Sequence, residues 1–316
     1  MAWVYSLKLL VASSSLVAQP VISLLENFES HELLGVITNP DKPMGRGQQI
    51  EPNSLASWVD DREIRLFKPI DDIALSKILD DLRPDLIITI AFGRLVSEDL
   101  LAKPKFGWIN IHFSVLPKWR GAAPVQWSIL SGENKSGLSI FKLDKGMDTG
   151  PIYLTHEIDL DKDAKTEEVL SILSSLAARK LPECLNLIEA NHSPYHQSDH
   201  QSDFGVTKAP KFSKNDGQID WKKSAENIYN LYRAISHNPG IWTNLSSMRL
   251  KLDSLQVCDM DQVIQSGSVL IKDERFFVGT ADGVIEILEL TPAGRSKMSA
   301  GEFIRGLSKR TDLHLG

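Results

Sequence analysis

The first 190 residues alternate between short apolar runs and amphipathic stretches. Residues 7–12 are apolar almost throughout and read as a strand, and residues 20–28 space their apolar positions as a helix does. A short β-rich run at 35–38, a helical period over 73–82 and a continuous apolar run at 86–90 follow. Residues 108–113, 137–143 and 152–158 read as further strands. A helix is predicted from Thr166, an N-cap followed by Glu167 and Glu168, to about Ala190, with a kink at Pro182. Strands alternating with helices predict an α/β domain with a mostly parallel sheet.

The pattern then changes. Residues 191–205 are polar with almost no aliphatic side chains, which predicts a linker between a domain at 1–190 and a second at 206–316. His192, His196 and His200 recur every four residues within it, but Pro194 argues against the helix that would gather them into a metal face. Beyond it a helical stretch at 224–235 precedes β-like runs at 249–257, 268–271, 276–280 and 284–290, with turns such as Asp282-Gly283 between them. That order suits a smaller β-barrel with a helix on its flank.

Composition narrows the classes. A length of 316 residues suggests two domains, and 42% hydrophobic with 24% charged residues is ordinary globular usage. No apolar run approaches the ~20 residues of a membrane span. The early Lys8 sits inside the apolar run rather than before it, so the N-terminus reads as strand, turn and helix and not as a secretory signal. Cys184 and Cys258 read as reduced cytoplasmic thiols, with no metal site; separately, the protein is expected to be a monomer. Residues 1–205 carry a net charge of −8 and residues 206–316 a net of +2, a weak hint of a polyanionic partner for the C-terminal part.

Two common sites are absent. Ser13-Ser14-Ser15 follows the first strand where a dinucleotide-binding domain would need G-x-G-x-x-G. Asp159, Asp161 and Asp163 open like a calcium loop, but Ala164 and Leu170 stand where it needs Gly and Glu. The chemistry concentrates at residues 108–117. Side chains alternate faces along a strand, so Asn110 and His112 share one face, roughly 7 Å apart, near the carboxyl end where open α/β sheets place their ligands. A polar pair there costs desolvation unless partnered. Small residues 121–123 permit close backbone approach before Pro124 opens a helix, and Asp148 lies between Gly146 and Gly150 in a loop between strands.

Asn110-Ile111-His112, Ser114-Val115-Leu116-Pro117, Arg120-Gly121-Ala122-Ala123-Pro124 and Asp148-Thr149-Gly150 together resemble the signature of folate-dependent formyltransferases. Pro40-Asp41-Lys42-Pro43-Met44-Gly45-Arg46-Gly47, Ile219-Asp220-Trp221 and the run from Thr291 to Ala300 extend the likeness nearly end to end, toward those members that act on methionyl-tRNA. The resemblance implies a Rossmann-like formyltransferase domain followed by a smaller OB-like β-barrel domain. It implies 10-formyltetrahydrofolate as donor and the amino group of initiator methionyl-tRNA as acceptor. It carries over Asn110, His112 and Asp148 as catalytic residues, and Ser114, Val115, Leu116, Pro117, Ala91, Phe92 and Gly93 as the folate site. Candidate tRNA contacts are Arg46, Lys208, Lys211, Lys214, Arg295 and Lys297. The sequence departs from the family at Ser13–Ser15, where Gly-Thr-Pro is usual, at Gln48 and Gln49, where lysines are common, and at Phe113, where Gly or Pro is common. Another acceptor amine, such as glycinamide ribonucleotide or a sugar nucleotide, or water in a hydrolase, would use the same three residues, and a non-catalytic folate- or RNA-binding protein is a third reading.

Overall fold

The computed structural model describes residues 6–44, 47–197, 205–260, 262–308 and 311–316. The chain divides into two compact units. Met1–Pro124, Lys135–Asp159 and Glu167–Pro210 form the first; Val125–Asn134, Leu160–Thr166 and Lys211–Gly316 form the second.

The first unit carries nine strands: β1 (Lys8–Ser13), β2 (Glu32–Ile37), β3 (Lys42–Met44), β4 (Gln49–Glu51), β5 (Leu66–Phe67), β6 (Leu86–Ile90), β7 (Trp108–His112), β8 (Lys135–Lys142) and β9 (Ile152–Asp159). Its helices are α1 (Gln19–Glu26), α2 (Ser54–Asp60), α3 (Asp72–Leu82) and α4 (Glu98–Leu101), and most of α6 (Thr166–Glu189) belongs to it; α5 (Pro124–Leu130) passes to the second unit after its first residue. Seven strands form one sheet in the order β5-β2-β1-β6-β7-β8-β9. Pairing is parallel from β5 to β7 and antiparallel from β7 to β9, while β3 and β4 make a separate hairpin.

The continuous apolar runs became the central strands because both sheet faces are covered: every residue of β6, and of β1 after Lys8, is buried. Leu10, Ala12, Ile37, Ile87 and Trp108 pack with Leu75 and Leu79 from α3, each large side chain contributing about 1.5–3 kcal/mol. Asp71 caps α3 by accepting the Ala74 amide at 2.7 Å. Pro182 lies within α6, as read from the sequence.

The border between units falls at Pro210 rather than at the polar run. Tyr195 exchanges backbone hydrogen bonds with Ile152 at 2.8 and 3.0 Å, and the Arg120 backbone bonds to Thr207 and Ala209. These long-range bridges tie described residues of the expected linker, and the segment after it, to the first unit. A composition shift cannot report them. Residues 125–134 and 160–166, expected with the catalytic domain, group with the second unit. There Trp127 stacks on Phe212 with ring centroids 4.8 Å apart, and Thr166 donates to the Ala234 carbonyl at 2.7 Å. His200 of the histidine repeat lies outside the described residues.

The second unit contains α7 (Ala225–Ile235), β10 (Ile241–Leu245), β11 (Met248–Cys258), β12 (Val269–Lys272), β13 (Arg275–Gly279), β14 (Val284–Pro292), β15 (Met298–Ser299) and α8 (Ala300–Arg305). Its antiparallel sheet runs β10-β11-β14-β13-β12, with β15 on β14. The chain end closes it: Leu315 bridges Leu245 beside β10, and His314 bridges Ser268 beside β12. α7 is the helix read from the sequence at 224–235, with Ser224 as its cap; β10, β15 and α8 were not read from it. Among the described residues no helix is long and apolar enough to cross a membrane, and no three His, Cys, Asp or Glu side chains gather as metal ligands.

Candidate active site

Asn110 lies on β7, opposite Thr89 of β6. Thr89 is buried, and its hydroxyl lies 2.8 Å from Asn110 Oδ1 and 3.0 Å from the Ile109 carbonyl, so its single proton is shared between them. With Oδ1 accepting from Thr89, the amide presents Nδ2, its donor end, away from β6. Nothing in the sequence marked Thr89, which reads there as one residue of an apolar strand.

Two residues on, His112 shares that face and is 5% exposed. Its Nε2 is 2.9 Å from the Trp119 carbonyl, which accepts from it. The neutral ring therefore carries its proton on Nε2 and turns a bare Nδ1 toward Asp148, whose Oδ2 is 3.8 Å away. The Phe141 ring meets His112 edge-on, with centroids 6.4 Å apart. Burial pushes the imidazole below its ordinary range; the Asp148 charge and the Trp119 carbonyl pull it upward but with less effect. The resting ring is thus neutral at neutral pH, although a carboxylate beside it would by itself favour the cation.

Asp148 reaches this position by folding back. The β7–β8 register pairs Ile109 with Lys142, so the loop after β8 starts beside the amino end of β7 and must return over the sheet face to meet His112. Asp144 Oδ1 ties the loop by accepting from the Gly146 amide and the Thr149 hydroxyl at 2.9 and 2.7 Å. A Cβ on Gly150 would lie 1.8 Å from the Lys142 carbonyl, which explains that glycine. Asp148 itself is in the left-handed region, φ 54°, and its Oδ2 accepts the Gly121 amide at 2.8 Å. Gly121 has φ 132° and lies against the Ala209 carbonyl, where a side chain would not fit.

The expected folate residues sit at the carboxyl ends of the adjacent strands β6 and β7. Ala91 and Gly93 adopt positive φ, and both are exposed. The Phe92 side chain, by contrast, belongs to the core with Leu10 and Trp108, so this residue offers the crevice its backbone. Its carbonyl accepts from Asn39 Nδ2 at 3.0 Å and from Ser14 Oγ at 3.5 Å. Ser14 also accepts the Asn39 amide at 3.2 Å, which gives the serine run after β1 a role in joining strand ends. Ser114 is buried and donates to the Lys118 carbonyl at 2.6 Å; it shapes the turn rather than facing a ligand. Ser139 on β8 holds the same turn, donating to the Ser114 carbonyl and accepting the Leu116 amide. Val115, Leu116 and Pro117 line a cavity of about 340 Å³ with Ile152, Thr155, Tyr195 and Gln197. That volume lies in the range of small-molecule sites, about 300–1,000 Å³.

Residues 7–185 match the formyl transferase family and residues 211–308 its C-terminal domain. The chain belongs to the formyl transferase family. A protein of Clostridioides difficile strain 630 named methionyl-tRNA formyltransferase is 34% identical over 91% of this chain and 93% of its own length. Among solved structures, methionyl-tRNA formyltransferase from Clostridium thermocellum aligns over 80% of this chain and 94% of its own, with TM-score 0.58 and 16% identity. HypX from Aquifex aeolicus, solved with tetrahydrofolic acid, aligns over 98% of this chain and 50% of its own, with TM-score 0.66 and 17% identity. At those identities the two structures speak to the fold alone, which this formyltransferase shares in both units.

The candidate cations of this formyltransferase are scattered. Arg46 lies outside the described residues. Lys208 belongs to the first unit; Lys211, Lys214, Arg295 and Lys297 belong to the second, and all five are exposed. Lys297 is paired with Glu289 at 2.7 Å. A half-buried aromatic group that was not read from the sequence stands on β10. Trp242 donates to the Lys214 carbonyl at 2.9 Å and carries the Arg249 guanidinium 3.6 Å above its ring.

Proposed function

We propose that this formyltransferase moves the formyl group of 10-formyltetrahydrofolate to the α-amino group of initiator methionyl-tRNA. What supports the acceptor is the likeness to a named methionyl-tRNA formyltransferase over more than nine-tenths of both chains. The C-terminal part, residues 206–316 with a net charge of +2 against −8 for the rest, suits a polyanionic acceptor better than the acidic part does.

Asn110 Nδ2 is aimed to donate to the formyl oxygen as negative charge grows there, a role whose loss costs on the order of 10²–10³ in rate. The amine nitrogen forms its bond to the formyl carbon while the bond to the folate nitrogen breaks. His112 Nδ1, bare in the neutral ring and facing Asp148, takes the proton that the attacking nitrogen sheds, directly or through water. The same pair returns a proton to the departing folate nitrogen, so the enzyme ends in its starting state. Asp148 stabilises the transient imidazolium, and the amide of Gly121 fixes that carboxylate. Val115, Leu116 and Pro117, with the backbone of residues 91–93, would hold the donor. The protein is proposed to act as a monomer in the cytoplasm.

The experiment is to offer formyl-labelled donor with methionyl-tRNA, a sugar nucleotide amine, glycinamide ribonucleotide and water in parallel. Label is expected on methionyl-tRNA. Label on another acceptor, or released as formate, replaces this reading with that one.

A further inference from the structure

Gln197 lies in the polar run that the sequence presents as a linker, yet it is 7% exposed. Its Nε2 donates to two carbonyls, those of Asp148 and Gly150, each at 2.9 Å. Its Oε1 accepts from Arg120, with Nε at 3.1 Å. One carboxamide thus joins two chain segments that come from different loops. Residues 148–150 follow β8 and residues 119–121 follow β7. The same two segments are joined a second time, by the Asp148 carboxylate on the Gly121 amide.

We propose that Gln197 is a positioning residue for the active site: a clasp that fixes the Asp148 carboxylate relative to His112. The inference rests on the roles proposed above for those two residues. Only a side chain with two N–H donors and one oxygen acceptor at the end of two methylenes can serve both carbonyls and the guanidinium at once. The need for such a clasp follows from the geometry it holds. Asp148 occupies a left-handed conformation that a non-glycine residue does not favour. Its carboxylate also stands 3.8 Å from His112 Nδ1, with no hydrogen bond between the two, so the separation is set by what holds the loop. The groups facing His112 are the Trp119 carbonyl, the Phe141 ring and Asp148, and the charge among them is Asp148. Displacement of residues 148–150 therefore changes the electrostatic environment of the imidazole without touching the ring.

The burial of Gln197 is explained in the same way. Tyr195, two residues before it, is bridged to Ile152, two residues beyond the glycine-bracketed loop, so the segment is docked where the side chain can reach that loop. The cavity it lines gives water access to the clasp once the carboxamide is removed.

The test compares wild type with Gln197→Met, which keeps length and loses all four hydrogen bonds of the carboxamide, and with Gln197→Ala. The first readout is the titration of His112 in the free protein, followed by NMR of ring-labelled histidine. With Asp148 released, its upward pull weakens, and His112 is expected to titrate at lower pH in both variants. The second is turnover, with kcat expected to fall about 10- to 100-fold while KM for the acceptor stays within threefold, and the acid limb of kcat moving to lower pH with the titration. A His112 titration and a kcat profile that coincide with wild type, whatever the change in melting temperature, overturn the proposal and leave Gln197 a merely structural residue. If wild type transfers formyl to no acceptor offered, the proposed function fails, while the free-protein titration still decides the clasp.

Discussion

The carboxylate of Asp148 lies 3.8 Å from Nδ1 of His112, while Nε2 of the same ring is held by the Trp119 carbonyl. The two ring nitrogens thus have separate tasks. One fixes the ring and the other faces the group that can stabilise a proton on it. Asn110, two residues earlier on the same strand face, has its Oδ1 held by Thr89, and in the proposed reaction its Nδ2 is the donor for the opposite sign of charge.

His112→Ala and Asp148→Ala are each expected to remove most turnover, and Asn110→Ala to lower kcat on the order of 10²–10³. Initial rates of formyl transfer, with circular dichroism to confirm folding, test this. Turnover within threefold of wild type for any of the three would sink the assigned roles.

Thr89→Val removes the hydroxyl that orients Asn110 while keeping the shape of a β-branched side chain. The expected loss is about tenfold in kcat with little change in KM, and about 1 kcal/mol of stability from the lost buried hydrogen bond. Steady-state kinetics and denaturant titration give both numbers. A lowered stability with unchanged kcat would mean that the amide needs no orienting partner.

His112 titrates below the ordinary imidazole range because burial outweighs Asp148. A base with a depressed folded-state pKa leaves the unfolded chain binding protons first as pH falls. Its contribution to stability is therefore intact above about pH 6.5, the unfolded value, and is lost as pH falls below it. Turnover should persist into that acid range and fall with the folded-state titration. In Asp148→Asn the upward pull is gone, so the acid limb of whatever activity remains should move to lower pH. A limb that moves upward contradicts the assignment.

Leu116 is 4% exposed and packs with Phe141 and Ile152, so a charge placed there would damage the fold as well as the cavity. Thr155 is exposed on the cavity wall and gives a cleaner probe. Thr155→Phe is expected to weaken folate binding at least tenfold with an unchanged melting temperature. Calorimetric titration that finds unaltered folate affinity would place the donor elsewhere.

For tRNA, each phosphate contact contributes about 0.9 to the slope of log affinity against log salt. Removing Lys208, Lys211, Arg295 and Lys297 together should flatten that slope by about three units at most, because Lys297 is already engaged by Glu289. Folate affinity should stay as it was. Superimposable salt series for wild type and the quadruple variant would mean that these side chains do not grip the acceptor.

The linear sequence determined the elements whose signal is local. Periods of two and 3.6 residues marked most strands and helices of the sheet domain. Glycine-bracketed Asp148 and the Asn110–His112 pair stood out because polar residues on a buried strand demand a reason. The barrel strand at Ile241–Leu245 escaped notice because its apolar positions are few and its pairing with β11 supplies the order. What only the tertiary structure decided is which distant groups satisfy one another. Thr89 orients Asn110 from the neighbouring strand, Trp119 takes the proton-bearing nitrogen of His112, and Gln197 rises from a polar run to hold the Asp148 loop. None of these has a spacing to betray it, because such bonds, between residues 7, 21 and 49 positions apart, depend on register and chain return. The balance on His112 was equally out of reach: a nearby carboxylate suggests a cation, whereas the depth of burial, a property of the packed fold alone, makes the resting ring neutral.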